Sequence, residues 1–121
     1  MQKTAILTLT AVAAGILAAE RFVTASGAYP TVATGAWGVT ATSAAAAGDL
    51  VPVDVLGTTV VTAGGAFAKD ATLRVGANGK AIAAESLTDV IVARALAEST
   101  GDGDRVEVFL IPNATPVDGG I

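Results

Sequence analysis

The chain has 121 residues, 52% of them hydrophobic but only 4% aromatic, with 7 Lys and Arg, 11 Asp and Glu, and a net charge of −4. It contains no Cys and no His. That excludes disulfides, thiol chemistry, Ser-His and Cys-His nucleophile pairs and most zinc sites. The basic residues are scattered, so no direct nucleic-acid partner is expected. No apolar run reaches the roughly 20 residues of a membrane span once its Thr residues count as polar, so no membrane partner is expected either.

The length suits one domain. Its core would be built mainly from Ala and Val, which contribute little burial per residue at about 25 cal/mol per Å². Such a domain gains from association with copies of itself or with a large partner.

The first segment, "MQKTAILTLTAVAAGILAAE", has the outline of a secretory signal: Lys3, an apolar stretch, then small residues. Thr4, Thr8 and Thr10 are spaced for a strand instead, and Ala5–Ala11 is the first predicted strand. Residues 1–12 are expected to form an N-terminal arm that is retained and docks on another chain, with Ile6, Leu7 and Leu9 at the interface. Strands follow at Arg21–Ala25 and Ala36–Thr42, separated by a turn over "SGAYP". Trp37 is the one large aromatic in a small-residue strand. It reads either as a core plug, the plainer reading, or as an interface residue, since Trp is enriched at binding hot spots.

"TSAAAAG" (Thr42–Gly48) reads as a loop or a short 3₁₀ turn. The strands Leu50–Leu56 and Thr58–Thr62 come next, on either side of Gly57, and then Thr72–Val75. "ANGK" (Ala77–Lys80) is a hairpin signal, because Asn-Gly suits positive φ at both central positions. "GANGKAI" resembles a phosphate loop only faintly, lacking Ser or Thr after the Lys. The last predicted strands are Val90–Leu96 and Arg105–Ile111. Between them, "GDGDRVE" gathers Asp102, Asp104 and Glu107, which reads as a turn opening a strand rather than a Ca²⁺ loop, since the EF-hand spacing is absent. Phe109 interrupts a polar strand face shared with Arg105 and Glu107, which suggests contact with another subunit or a second core layer. The tail 113–121 has no periodicity.

Shifting the chain by about fifty residues aligns it with itself. Leu17 meets Phe67, Glu20 meets Asp70, Gly27 meets Gly79, and Val32-Ala33 meets Ile82-Ala83. Farther on, "GDLVPVDVL" meets "GDRVEVFL", pairing Val51 with Val106, Val53 with Val108 and Val55 with Leu110. Two copies suit one pseudo-symmetric domain rather than a solenoid. The expected fold class is therefore mainly β, a small barrel or sandwich with an internal pseudo-duplication and an extended N-terminal arm. The expected organisation is an arm at 1–12, one domain at 13–112 made of similar halves at 13–57 and 63–112, and a tail at 113–121. The repeat also argues against a signal peptide, because cleavage near Ala18 would cut the first module open.

The carboxylates Glu20, Asp70, Glu85 and Asp89 show no spacing that singles out an acid–base pair. No catalytic, cofactor or metal residues are expected.

The runs "GAFAKDATLRVGANGKAIAA" and "VIVARALAESTGDGDRVEVFLI" resemble the small capsid cement, or head decoration, proteins of tailed bacteriophages. The shared features are the Gly-x-x-hydrophobic start, the Asn-Gly hairpin, the Ala/Ser-rich loop and the final Gly-Asp-x-Val-x-Val strand. The resemblance covers Ala13 to Pro112. "VARAL" (Val92–Leu96) departs from it in lacking a Gly before the Val, and the N-terminus is more apolar than the family's. The resemblance implies a non-enzymatic virion protein on the outer surface of an icosahedral capsid. Its partners would be the major capsid protein and itself, as a homotrimer. A tail-tube or baseplate subunit, a secreted β-domain with a signal peptide and, remotely, a carboxylate hydrolase are the alternatives.

Overall fold

The computed structural model describes residues 3–31, 34–86 and 88–113. The expected tail beyond Asn113, and the pairing of Val32-Ala33 with Ile82-Ala83, fall outside the described residues. The strands are β1 (Ala5–Val12), β2 (Phe22–Val23), β3 (Gly38–Thr40), β4 (Leu50–Thr62), β5 (Thr72–Val75), β6 (Ala81–Ala83), β7 (Ala93–Ala95) and β8 (Arg105–Leu110). They form one sheet in the order β2-β3-β4-β8-β7-β5-β6, with β1 also paired to β4. The sheet curls into a nearly closed barrel. The mainly β expectation holds, with a barrel rather than a sandwich.

The repeat is visible in the hydrogen bonds. β1 pairs with the first part of β4 through Thr8↔Asp54, Leu9↔Val53, Ala11↔Val51 and Val12↔Leu50. The second part of β4 pairs with β8 through Thr58↔Phe109, Thr59↔Val108, Val61↔Val106 and Thr62↔Arg105. Each residue of the first set thus has its counterpart in the second. The same holds for Phe22↔Val39 against Thr72↔Arg94, and for Thr40↔Val53 against Ala95↔Val108. The loops agree too: Leu17↔Ala44 and Phe67↔Ser99 are matching isolated bridges, and Glu20 and Asp70 share a positive φ. Asp49 accepts from the Ala45 and Ala46 N–H groups, as Asp104 accepts from the N–H and hydroxyl of Thr100. These are twin turns that open the two final strands, as read from "GDGDRVE". Asn78 and Gly79 have φ of 57° and 72°, the backbone that "ANGK" predicts.

Two boundaries differ from the sequence reading. Residues 5–12, expected as an arm, lie within the sheet as the counterpart of residues 55–62. The predicted strands Leu50–Leu56 and Thr58–Thr62 are one continuous β4, which is the last strand of the first unit and the first strand of the second. Gly57 does not end it because a left-handed residue (φ 100°) can be taken up as an irregularity in the ladder. A Cβ on Gly57 would lie 2.4 Å from Thr4 O and 2.8 Å from Ile6 N. Gly48 has a similar φ of 94° with open space around it. Gly57→Val should therefore lower stability by about 2 kcal/mol or more, from strain plus collision. Gly48→Ala should cost only about 1 kcal/mol from strain. Urea midpoints of the two variants check the order, and equal losses would contradict the close approach.

Two core clusters result. The first unit encloses Ala11, Ala13, Leu17, Val23, Ala44, Val51 and Val53, with Tyr29, Trp37 and Val55 packed against them. The second encloses Val61, Phe67, Leu73, Val106 and Val108, and it also takes in Phe22, Ala36 and Val39 from the first unit. That shared packing joins the halves into one body.

Candidate functional site

Paired residues of an antiparallel ladder share a face. Along β1 and β4, Leu9 with Val53 and Ala11 with Val51 therefore turn toward the first core. Thr8 with Asp54, Thr10 with Pro52 and Val12 with Leu50 turn the other way. Register shifts between Ala5 and Thr8 break the alternation. Large apolar side chains exposed among the described residues are Ile6 (72%), Leu7, Leu9 (38%), Val12, Ile16, Leu50 (70%), Leu56 and Phe109 (49%). All but Phe109 belong to the first unit, and most lie on β1 and the facing part of β4. Isolated exposed Leu or Ile side chains are ordinary, but a concentration on one edge marks a binding surface.

The structure leaves Ile6, Leu7 and Leu9, the residues expected at an interface, accessible on β1. Phe109 is accessible elsewhere, on β8, in a row with Thr58 of β4 and Arg94 of β7. Trp37 is half-buried against the first core beside Tyr29 and Val55.

Sequence reasoning missed Asp54. Its side chain is 2% exposed, with Lys3 Nζ 2.7 Å from Oδ2. Thr59 Oγ1 donates to Oδ2 and Thr8 Oγ1 to Oδ1, each at 2.8 Å. Burial pushes the carboxyl up, but the hydrogen bonds from Lys3, Thr59 and Thr8 and the Lys3 charge outweigh it and hold it below the usual carboxylate range. Strand alternation places Asp54 on the outward face with Pro52 and Leu50, so nothing in the sequence marks it as buried. It ties three parts of the chain together: the N-terminal segment, β1 and the second part of β4.

Several other carboxylates are also structural. Glu20 bridges to Arg105 at 3.0 Å, and Asp102 to Lys80 at 2.9 Å. Asp89 accepts from the Glu85 and Ser86 N–H groups, which hold its carboxyl low, with a smaller contribution from Arg74 at 3.2 Å. It lines a shallow, open cleft of about 340 Å³ with Thr72, Ala84, Glu85, Ser86 and Ile91. An acidic group held low and fully hydrogen-bonded is a poor proton donor or acceptor near neutral pH. Among the described residues, no three acidic side chains gather as a metal site would need.

Among the described residues the fold is two tandem β units with four ion pairs inside the chain and a concentration of exposed apolar side chains on β1 and the facing part of β4. The sequence matches the family model described as phage cement protein over residues 1–110, and the chain belongs to that family. No curated protein matches it. Among solved structures it is similar to the N base of the head fiber gp8.5 of bacteriophage phi29. That similarity has a TM-score of 0.73 at 20% identity and covers 92% of this chain and 98% of that one. It is a likeness of fold.

Proposed function

We propose that this protein binds the outer surface of an icosahedral phage capsid and stabilises contacts between major capsid subunits, acting as a self-associated clamp, with a trimer as the expected form. The observation that carries this reading is the apolar edge of β1 and β4, unpartnered among the described residues and beside the edge of β1 that no described strand pairs. Membership of the cement family supports a capsid-associated role. An exposed strand edge of this kind either aggregates or adds to a partner sheet. A clamp needs surface complementarity rather than reactive groups. By binding the assembled shell and not the loose subunits, it stabilises the shell by mass action, and many copies turn modest contacts into a durable coat.

Deleting β1 would strip a strand from the first core, so point substitutions are the cleaner test. Ile6→Lys with Leu50→Lys should leave the melting temperature of the free protein unchanged within about 0.5 kcal/mol of stability, both sites being exposed. The double variant should fail to co-sediment with expanded capsids. Capsids coated with the unmodified protein should survive heating or low salt that ruptures bare ones, and EDTA should not remove the protection. Equal rupture temperatures for bare and coated capsids would sink the clamp reading and favour a tail or baseplate role.

A further inference from the structure

The two units do not pack as mirror partners. The first unit presents the outer row of β2 and β3, with Phe22, Ala36 and Val39, to the core of the second. The counterparts of those residues in the second unit are Thr72, Ile91 and Arg94; Thr72 and Arg94 are exposed and Ile91 is only half-buried. The packing is thus directional. Among the described residues it leaves two surfaces unused: the opening of the first unit and the outer row of the second.

The opening can be located residue by residue. In the second unit Thr59, Val92 and Leu110 are sealed, with 1%, 1% and 4% exposure. Their counterparts in the first unit are Leu9, at 38%, and the half-buried Trp37 and Val55.

We infer that copies of this chain associate head to tail, with the outer row of one copy's second unit, centred on Phe109, seated on the Leu9–Trp37–Val55 opening of the next copy. The proposal rests on the self-association reading above and names its surface. The junction inside the chain shows what such a contact looks like. There, Asp54 of the first unit accepts a hydrogen bond from Thr59 of the second at 2.8 Å. The counterpart of Asp54 is Phe109 and that of Thr59 is Leu9. A polar couple inside the chain thus corresponds to an apolar couple between copies, and both of its members are exposed. If the two surfaces faced only water, no chemistry would require both positions to turn apolar together.

The backbone offers a second match. Thr62 N–H donates to Glu20 O across the internal junction at 2.8 Å. The counterparts, Val12 N–H and Asp70 O, have no partner among the described residues. The register that points Thr62 N–H away from β8 points Val12 N–H away from β4.

The match is incomplete in two respects. The Glu20–Arg105 ion pair has no counterpart, since Leu50 stands where Arg105 would be, and Thr72 and Arg94 replace Phe22 and Val39. The contact between copies is therefore weaker than the internal one and gains from the high local concentration of a lattice. A head-to-tail contact closes into a ring when its rotation permits.

The chain has no cysteine, so Leu9→Cys and Phe109→Cys each introduce a single thiol at an exposed position. An equimolar mixture of the two variants, one isotope-labelled, is oxidised and weighed by intact mass spectrometry. The mixed dimer should exceed either matched dimer about tenfold, because only seated thiols reach the separation a disulfide requires. In sedimentation, Leu9→Asp and Phe109→Asp should each be monomeric alone and form a one-to-one dimer when mixed, since one intact joint remains. Matched dimers, or a statistical mixture, would overturn the head-to-tail surface while leaving self-association standing. A monomeric unmodified protein that yields no cross-link would overturn both. Capsid binding by Ile6→Lys with Leu50→Lys is scored separately and does not depend on either result.

Discussion

Phe22→Ala should destabilise the protein by about 3–5 kcal/mol, the usual cost of emptying a buried aromatic site. Domains of this size have roughly 5–15 kcal/mol in all, so the variant should lose a large share of the total. Phe22 is fully buried where the first unit enters the core of the second, among Val61, Leu73 and Val75. Its neighbours are mostly Val and Ala, which are too short to close the hole by moving. Phe22→Leu keeps most of the volume and should cost less than about 1.5 kcal/mol. The counterpart substitution, Thr72→Ala, lies on the exposed row and should stay within about 0.5 kcal/mol. Urea unfolding of the three variants tests the directional packing directly. Similar losses at positions 22 and 72 would mean that the halves pack equivalently, and the asymmetry described above would be wrong.

Asp54→Ala should cost about 2–4 kcal/mol. It removes the acceptor for Thr59, whose hydroxyl is buried, and for Thr8. The Lys3 side chain is 39% exposed, so its ion pair contributes less than the 2.7 Å separation implies. The same carboxylate sets a pH dependence. Asp54, Asp89 and Asp104 all have their carboxyls held low by hydrogen bonds that favour the charged form. The unfolded chain, with Asp near 3.9, takes up protons before the folded one does. Stability from these groups is therefore fully present above about pH 5 and is lost as the pH falls through their lower folded values. The urea midpoint should be flat from neutral pH to about 5 and then decline. Asp54→Asn should flatten part of that decline at the expense of stability near neutral pH. A midpoint that rises on acidification, or a variant with the parent's slope, would contradict the role of Asp54 in tying the N-terminal segment, β1 and β4 together.

Much of this architecture was legible in the chain because Val, Thr and Gly mark strands and turns clearly here. β5 (Thr72–Val75) lies where the sequence predicts it, and the paired Gly-Asp strand starts point to the repeat that the ladders display. Gly57 misled because a glycine between two alternating runs reads as a turn. Its consequence depends on whether another segment, here Thr4 to Ile6, closes over it. β2, β3 and β7 are shorter than predicted because the ladders pair only their central residues; the flanking Trp37, Ala41, Val92 and Leu96 each keep one backbone bond to a neighbouring strand. At the candidate site, Ile6, Leu7, Leu9 and Phe109 could be singled out as apolar residues with no evident core to fill. Asp54 could not, since its burial depends on Lys3, Thr8 and Thr59 converging on it from three separate stretches. The directional packing was equally hidden: Phe22 and Thr72 differ in type, but only the fold shows that one is covered and the other is not.

β4 has a mechanical consequence. It runs unbroken from one unit into the other, with β1 laid along its first part and β8 along its second. Tension that pulls the two units apart first loads the contacts across the junction, Thr62 with Glu20, Glu20 with Arg105 and the seated Phe22, and once these part it is carried by covalent backbone. What can yield is the grip of β1 and β8 on that spine. Each grip is an antiparallel ladder of several residue pairs, loaded along its length so that the pairs must slip together rather than open one at a time. Failure under load is then governed by how fast those ladders slip rather than by equilibrium stability. A molecule built this way behaves as a tie-rod with two lapped joints.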